Sequence, residues 1–409
     1  MKAERAYPRA TVTNKAQAAI LRGHPWVYGA EILSVSEPPE NGGLVDVLGK
    51  KGQYLGTGFW SETSKIQVRL LSRNANDRFD TAFWERRLRW AWEYRKTVLA
   101  PEDLDACRIL FGEADLFPGL TADKFHDLLS VQVLSVGMER LKPLLLPLLV
   151  QILREDGQTI RGVYQRNDAA LRDKEGLPQY KGWFPLPGET PPDSPVTEIT
   201  ENGIRYLVDV ENGQKTGFFL DQKYNRRAVA RLAAGKTVLD CFTHTGSFAL
   251  NAARGGAKHV TAVDVSASAV EMARANAARN GLSQVMDCVE ANVFDLLPAL
   301  EKEPPRYDFI ILDPPAFTKS RKTVANAMSG YKEINYRAMK LLPRGGYLAT
   351  CSCSHFAEEA AFLSMLQSAA RDADVRLRQI EARQQCADHP ILWGVEETNY
   401  LKFYLFQVV

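Results

Sequence analysis

The feature that most constrains the fold of this chain is the run Val238-Leu239-Asp240-Cys241-Phe242-Thr243-His244-Thr245-Gly246, followed by Val263-Asp264. An apolar strand runs into a turn that ends in glycine, a helix follows, and a second strand stops at an acid. This is the pattern of a nucleotide-binding βαβ unit. A glycine suits a turn whose backbone must approach a ligand closely. The acid lies about 20 residues downstream, where a carboxylate can accept from both hydroxyls of a ribose. The phosphate-binding fingerprint G-x-G-x-x-G is missing, since Gly246 stands in a turn otherwise made of Phe242, Thr243, His244 and Thr245. The expected ligand is therefore a nucleoside without pyrophosphate, with S-adenosylmethionine the obvious candidate. Asp240, Phe242, Thr245, Gly246 and Asp264 are the residues expected to bind it. The competing reading is an ordinary α/β turn that binds nothing.

From about residue 235 the chain alternates strand and helix, which predicts a mostly parallel sheet with helices on both faces. Strands are predicted at Thr237–Cys241, His259–Asp264, Val285–Glu290, Phe309–Asp313 and Gly346–Thr350, with Val375–Ile380 and Tyr400–Val409 as the last two. The helix after Asp264 opens on a capping box, Ser268 with Glu271 three residues on, and ends at Gly281. Upstream, residues 1–75 read as short strands at Glu31–Ser36, Leu44–Leu48, Tyr54–Trp60 and Ile66–Leu71. Asn41-Gly42-Gly43 and Gly49-Lys50-Lys51-Gly52 are turn signals between them. Such spacing suggests a small β-barrel, with a helix at Ala16–Arg22. Residues 76–190 read as a small α+β middle domain. Its helix over Asp80–Leu99 places Trp84, Leu88, Ala91 and Trp92 on one face, a core face rather than a base-stacking one. Strands are predicted near Asp115–Thr121, Leu128–Leu134 and Gly162–Tyr164, and a helix across Met138–Arg154 despite Pro143 and Pro147. The Pro-rich residues 185–195 form a linker, Val196–Val210 a hairpin, and residues 191–409 the last domain.

Charge is uneven. Residues 1–100 hold 16 Lys+Arg against 10 Asp+Glu, while the remainder holds 35 against 39. A basic N-terminal part is what contact with a polyanion requires, although a solvated basic face would look the same. The sequence has no apolar stretch of bilayer length. Met1-Lys2-Ala3-Glu4-Arg5 has no apolar core behind it and does not read as a signal peptide. Six irregularly spaced cysteines argue against a disulfide framework and for a reducing cytoplasm.

The chemistry-bearing residues lie at predicted strand ends. Asn292, just past the third strand, could hydrogen-bond an adenine edge, but Asn also suits turns. Asp313-Pro314-Pro315-Ala316-Phe317 closes the fourth strand, where an acid emerges at the ligand-binding edge of an α/β sheet. That carboxylate can bond the amino group and ring nitrogen of a base. Phe317 could stack on the base or fill the core. Thr350-Cys351-Ser352-Cys353-Ser354-His355 follows the fifth strand. C-x-C without a second pair at zinc spacing is a poor metal site. A thiol here can be a nucleophile instead, because carbon 5 of cytosine gains nucleophilicity when a thiolate adds to carbon 6. Alternation lets one of the two cysteines face the crevice and leaves the other to packing. Gln214–Gln222, with Lys215, Thr216 and Phe219, suits a lid over the cofactor or a connector with buried aromatics. Asp388-His389-Pro390 is a plausible active-site loop, although a lone His beside Pro is more often structural, and His355 is a weaker candidate.

Together Asn212–Gln222, Asp240–Gly246, Asp313–Phe317, Cys351–Ser354 and Ala387–Pro390 resemble the bacterial large-subunit (23S) ribosomal RNA cytosine-5 methyltransferases of the RlmI type, across essentially the whole chain. Lys15–Tyr28 looks like the start of that family's PUA domain, an RNA-binding barrel. The resemblance implies an α/β chain with a Rossmann-like class I methyltransferase domain, S-adenosylmethionine as methyl donor, and 23S ribosomal RNA or a large-subunit precursor as partner. It implies a cytoplasmic location and no membrane partner, and a homodimer is compatible with it. It implies that Cys353 is the catalytic cysteine, that Asp264 and Asn292 contact the cofactor, and that Asp313 lies near methyl donor and target base. Many RNA cytosine-5 methyltransferases carry a second cysteine three residues after the strand-four acid. Here Ala316 stands there, so Asp313 or a water is left to assist product release. Asp-Pro-Pro loops also occur in enzymes that methylate nitrogen, such as a 7-methylguanine enzyme. A nitrogen methyltransferase and a non-catalytic RNA-binding assembly factor are the alternatives.

Overall fold

A computed structural model of the 409-residue chain describes residues 6–304, 306–318 and 323–409. The run Met1–Arg5, read above for targeting, lies outside them. The chain forms two units. One comprises residues up to 199 with 207–220 and 387–398; the other comprises 200–206, 221–386 and 399–409.

The first unit opens with β1 (Arg9–Val12), α1 (Asn14–Leu21), β2 (Trp26–Tyr28), β3 (Ile32–Val35), β4 (Leu44–Leu48), β5 (Tyr54–Trp60) and β6 (Ile66–Ser72). The strands pair in the linear order β2-β6-β5-β4-β1-β3, a half-barrel. Thr13 caps α1 by accepting from Ala16 N, and Ala16 and Ile20 pack on Val12, Val27, Val45 and Val68. Gly58 is required by close approach: a Cβ there would lie 2.3 Å from the Arg69 carbonyl, at an irregularity in the β5–β6 register.

Next come α2 (Thr81–Val98), β7 (Ala106–Phe111), β8 (Leu120–Phe125), β9 (Leu128–Val133), α3 (Val136–Glu155), β10 (Gly162–Asn167) and β11 (Tyr180–Trp183), with sheet order β11-β10-β9-β8-β7. Trp84, Leu88, Ala91 and Trp92 of α2 are buried, as a core face requires. The strand predicted at Asp115–Thr121 is absent. Gly112–Asp115 is a short 3-10 turn, Leu116 takes φ +63, and extended structure resumes at Leu120 beyond Pro118-Gly119. Pro143 and Pro147 sit inside α3, which survives two lost backbone donors because Leu145, Leu146, Leu149 and Leu153 are buried. Residues 185–195 are irregular. The hairpin β12 (Val196–Glu201) and β13 (Ile204–Asp209) follows.

The second unit contains α4 (Lys223–Leu232), β14 (Thr237–Cys241), α5 (Ser247–Arg254), β15 (His259–Asp264), α6 (Ala267–Arg279), β16 (Met286–Glu290), α7 (Val293–Leu300), β17 (Phe309–Leu312), α8 (Val324–Leu341), β18 (Tyr347–Ser352), α9 (Glu359–Asp372), β19 (Leu377–Arg383) and β20 (Lys402–Val408). The sheet order is β16-β15-β14-β17-β18-β20-β19. The first five strands in that order are parallel, and β20 inserts antiparallel between β18 and β19. The apolar strand interiors pack with the helices into a core that includes Leu239, Ile310, Leu312, Ile334, Leu348 and Phe362. The chain moves outward from β14 to β16 and then returns to β17 on the other side of β14. That reversal creates the crevice where ligands bind in open α/β sheets.

The helix cap after β15 differs from the sequence expectation. Ser266, not Ser268, caps α6 by accepting from Ala269 N, because Asp264 Oδ1 binds Ser266 N and fixes the chain there. The far end is as expected, with Gly281 at φ +69 after the last turn. Among the described residues no helix is long and apolar enough to cross a membrane.

Candidate active site

Parallel strands deliver their carboxyl ends to one edge. In the second unit this edge gathers the turn 242–246, Asp264, Asn292, the loop from Asp313 to Phe317, and Cys353.

The turn after β14 is built by two carboxylates. Asp240 is fully buried. Its Oδ2 accepts from Thr243 Oγ1 at 2.6 Å and from Ala249 N at 2.9 Å, while Oδ1 has no partner among the described residues. Burial lifts the Asp240 carboxyl from 3.8 to about 7. Asp264 Oδ2 accepts from His244 N at 2.9 Å and Oδ1 from Ser266 N at 3.0 Å. These bonds hold Phe242 and His244 at positive φ, +64 and +53. Burial lowers the His244 imidazole to about 4, so it is neutral at neutral pH. Gly246 has φ +84, and a Cβ there would lie 3.0 Å from Ala273 Cβ and 3.1 Å from Met286 Cε. Its need for glycine therefore comes from packing inside the fold as well as from the turn.

This edge fits S-adenosylmethionine. Thr245 Oγ1 is buried with no partner among the described residues, beside the α5 N-terminus, which has no side-chain cap. Val265, directly after Asp264, is 70% exposed, and Phe294, two residues after Asn292, is 38% exposed. An orphaned hydroxyl, open amides, a strand-end acid and unpacked apolar surface suit a nucleoside with a charged tail. Asn292 itself caps α7, with Oδ1 accepting from Phe294 N and Nδ2 donating to Asp295.

Asp313 accepts from Gln222 Nε2 at 3.0 Å and is hydrogen-bonded with the Cys351 thiol. Desolvation and the neighbouring Asp221 carboxylate raise it to about 6. Phe317 joins an aromatic group, its ring centroid 4.6 Å from Tyr331 and 5.8 Å from Phe294. The two cysteines differ. Cys351 is wholly buried, and burial pushes its thiol well above 9. Cys353 is half-buried, with Sγ 3.9 Å from the Pro314 carbonyl. All six cysteines are free thiols. Among the described residues no cluster of His, Cys, Asp and Glu could hold a metal ion.

Of the other expected residues, Lys215, Thr216, Phe219 and His389 belong to the first unit and His355 to the second. Thr216 Oγ1 donates to Asp123, which also takes a bidentate bond from Arg108. Lys215 Nζ lies 4.7 Å from the Phe219 ring centroid. His389 is buried, with Nδ1 2.8 Å from Asp388 Oδ1, and Asp388 also accepts from Arg108 N. His389 thus sits in a buried polar network, while His355 is exposed. Sequence reasoning missed Gln222, Val265, Phe294, Tyr331 and Lys402. Gln222 closes a run already singled out; an exposed hydrophobe after a strand-end acid was the available signal for Val265.

Comparison with known proteins agrees with this layout. Residues 188–407 match the family model described as S-adenosylmethionine-dependent methyltransferase, and residues 10–73 match that of a PUA-like domain. A ribosomal RNA large subunit methyltransferase I from Aeromonas salmonicida is 39% identical over 387 residues, 94% of this chain and 96% of that protein. This chain belongs to the ribosomal RNA large subunit methyltransferase I family. A Klebsiella pneumoniae member is 36% identical over 98% of this chain and 99% of its own length. The fold is shared with a Streptococcus mutans chain described as a SAM-dependent methyltransferase, at TM-score 0.80 and 22% identity, over 98% of this chain and 100% of that one. It is also shared with SMU.776, a methyltransferase complexed with SAH, at TM-score 0.82, 22% identity and the same coverage. The methyl donor of the family is S-adenosylmethionine.

Proposed function

We propose that this protein methylates carbon 5 of a cytosine in large-subunit ribosomal RNA, with Cys353 as the nucleophile. The observation that carries the reading is the placement of a half-buried Cys353, its Sγ 3.9 Å from the Pro314 carbonyl next to Asp313, on the same sheet edge as the turn 242–246 and Asp264. The names of the relatives support RNA of the large subunit as substrate.

In this reading Asp264 accepts from the ribose, Asn292, Val265 and Phe294 border the adenine, and Thr245 with the α5 N-terminus receives the polar tail. Asp240 and Gly246 shape the turn, which carries Phe242. S-adenosylmethionine supplies an electrophilic methyl group. The target base leaves its stack, because a stacked ring blocks approach to carbon 6. Asp313, raised to about 6, retains a proton more readily than an ordinary carboxyl. Its protonated oxygen matches ring nitrogen 3 of cytosine and its other oxygen matches the exocyclic amino group. The Cys353 thiolate adds to carbon 6 as Asp313 passes its proton to nitrogen 3, carbon 5 acquires the methyl group, and the carbon 5 proton leaves to the resulting Asp313 carboxylate or to a water as the carbon–sulfur bond breaks and releases the thiolate. Ala316 supplies no second thiol for that last step. The N-terminal PUA-like half-barrel, within the basic first hundred residues, holds RNA by its phosphates, which positions the substrate without reading much sequence. The reading needs a single chain.

RNA carrying 5-fluorocytidine tests it, since fluorine at carbon 5 cannot leave as a proton. With S-adenosylmethionine present, a covalent protein–RNA adduct stable in denaturing gels is expected for the wild type and absent for Cys353→Ala. An equal adduct yield from both proteins would overturn the assignment.

A further inference from the structure

Lys402 is an unusual residue for its place. It is the first residue of β20, otherwise apolar as far as Phe406, and its side chain is buried to 8% exposure. In the antiparallel β18–β20 pair it lies opposite Ser352, the residue before Cys353. Its ammonium donates to the Ser354 carbonyl at 2.8 Å and to the Tyr400 carbonyl at 3.1 Å. Nζ is thus fastened to the residue that follows Cys353. An ammonium has three donors, so two carbonyls leave one over. Among the described residues Lys402 forms no ion pair with a carboxylate. A buried cation without one is costly unless some other negative charge offsets it.

We propose that Lys402 is the positioning residue for the Cys353 thiolate: pinned by the Ser354 and Tyr400 carbonyls at the strand end that carries the thiol, it supplies the positive charge against which that thiol ionises. The inference rests on the reading of Cys353 as nucleophile. Burial pushes the Lys402 ammonium below its ordinary range, and Cys353 is the largest influence holding it up, ahead of Glu359 and Glu358. Other titratable groups among the described residues surround the pair. Glu359 Oε1, at the start of α9, is bonded by Tyr404 Oη. Tyr331 of α8, itself coupled to Cys353 and Asp313, is held neutral by burial, which raises it to about 12. Cys351 is coupled to Cys353 and stays a thiol. Asp313, past β17, opposes thiolate formation when ionised. Among these described groups Lys402 is the cation that can favour the thiolate by charge. An opposite charge at close range shifts a titration by about one to three pH units.

The test is the pH dependence of Cys353 alkylation by iodoacetamide in the full chain, read by peptide mass spectrometry. The proteins are the wild type, Lys402→Gln, Lys402→Arg and Lys402→Met. Gln keeps a donor for the carbonyls and loses the charge; Arg keeps the charge. The expected result is a midpoint displaced upward by about one unit or more in the Gln and Met variants and restored in Arg. Methyl transfer at pH 7 should fall about tenfold in Gln, recover toward higher pH, and leave KM for S-adenosylmethionine unchanged. If Met fails to fold, the Gln and Arg pair decides. An unmoved midpoint in a folded Gln variant, or an Arg variant that behaves like Gln, overturns the proposal. Full activity in Cys353→Ala would instead sink the nucleophile assignment, and the alkylation midpoint would still report on Lys402.

Discussion

At the scale of single residues, the turn after β14 rests on two acids with different fates. Asp264 is partly exposed and holds two backbone amides, yet each carboxylate oxygen keeps a second lone pair for a ribose. Asp264→Ala is expected to weaken S-adenosylmethionine binding at least tenfold by calorimetry; unchanged affinity would leave this acid as a turn fastener alone. Asp240 is sealed inside, with a folded pKa of about 7 against 3.8 when solvated. Because the folded state holds this proton more tightly, its contribution to stability is complete below pH 4 and is lost as pH rises through about 7. Asp313, raised to about 6, adds a slope of the same sign. Asp240→Asn keeps an oxygen for Thr243 and Ala249 and carries no charge. The melting temperature of this variant relative to wild type is expected to rise from pH 5 to about pH 7 and to level off above it. A difference that stays constant across that range would mean that Asp240 is not buried as a strained carboxylate.

At the scale of elements, legibility followed periodicity. The strands Thr237–Cys241 and His259–Asp264 have the predicted bounds because buried parallel strands are short apolar runs with clear stops. The α2 core face was readable from Trp84, Leu88 and Trp92, since an 18-residue helix shows its period. What failed was local chemistry. Ser268 looks like a cap in one dimension, but Asp264 selects Ser266. Leu116 at φ +63 ends what looked like a strand. The strands β1 and β2 are too short to show alternation, and β7 alternates too weakly to be read as a strand. At the site, the strand-end residues were legible because topology sends them to one edge. Lys402 was not, because its meaning depends on β20 pairing with β18, a partner about fifty positions away in sequence. Glycine placement was equally opaque. Gly58 lies inside the predicted strand Tyr54–Trp60 with nothing in the sequence to mark it, yet its absent side chain lets β5 and β6 approach. Gly58→Val should therefore lower the half-barrel's stability by about 1–3 kcal/mol, read from the shift in its urea midpoint. An unshifted midpoint would show that the Arg69 carbonyl moves aside freely.

At the scale of the whole molecule, the chain joins an N-terminal PUA-like half-barrel to a methyltransferase sheet whose carboxyl edge carries one accessible thiol. That combination suits an enzyme that grips RNA through its backbone and acts on a base withdrawn from its stack. The central claim is the chemistry at that thiol. The most direct measurement is methyl transfer from labelled S-adenosylmethionine to ribosomal RNA, followed by nucleoside mass spectrometry, with wild type and Cys353→Ala side by side. Label in 5-methylcytosine that disappears in the variant is the expected result. Label in a methylated guanine or adenine, undiminished by Cys353→Ala, would contradict it and place the reaction on nitrogen.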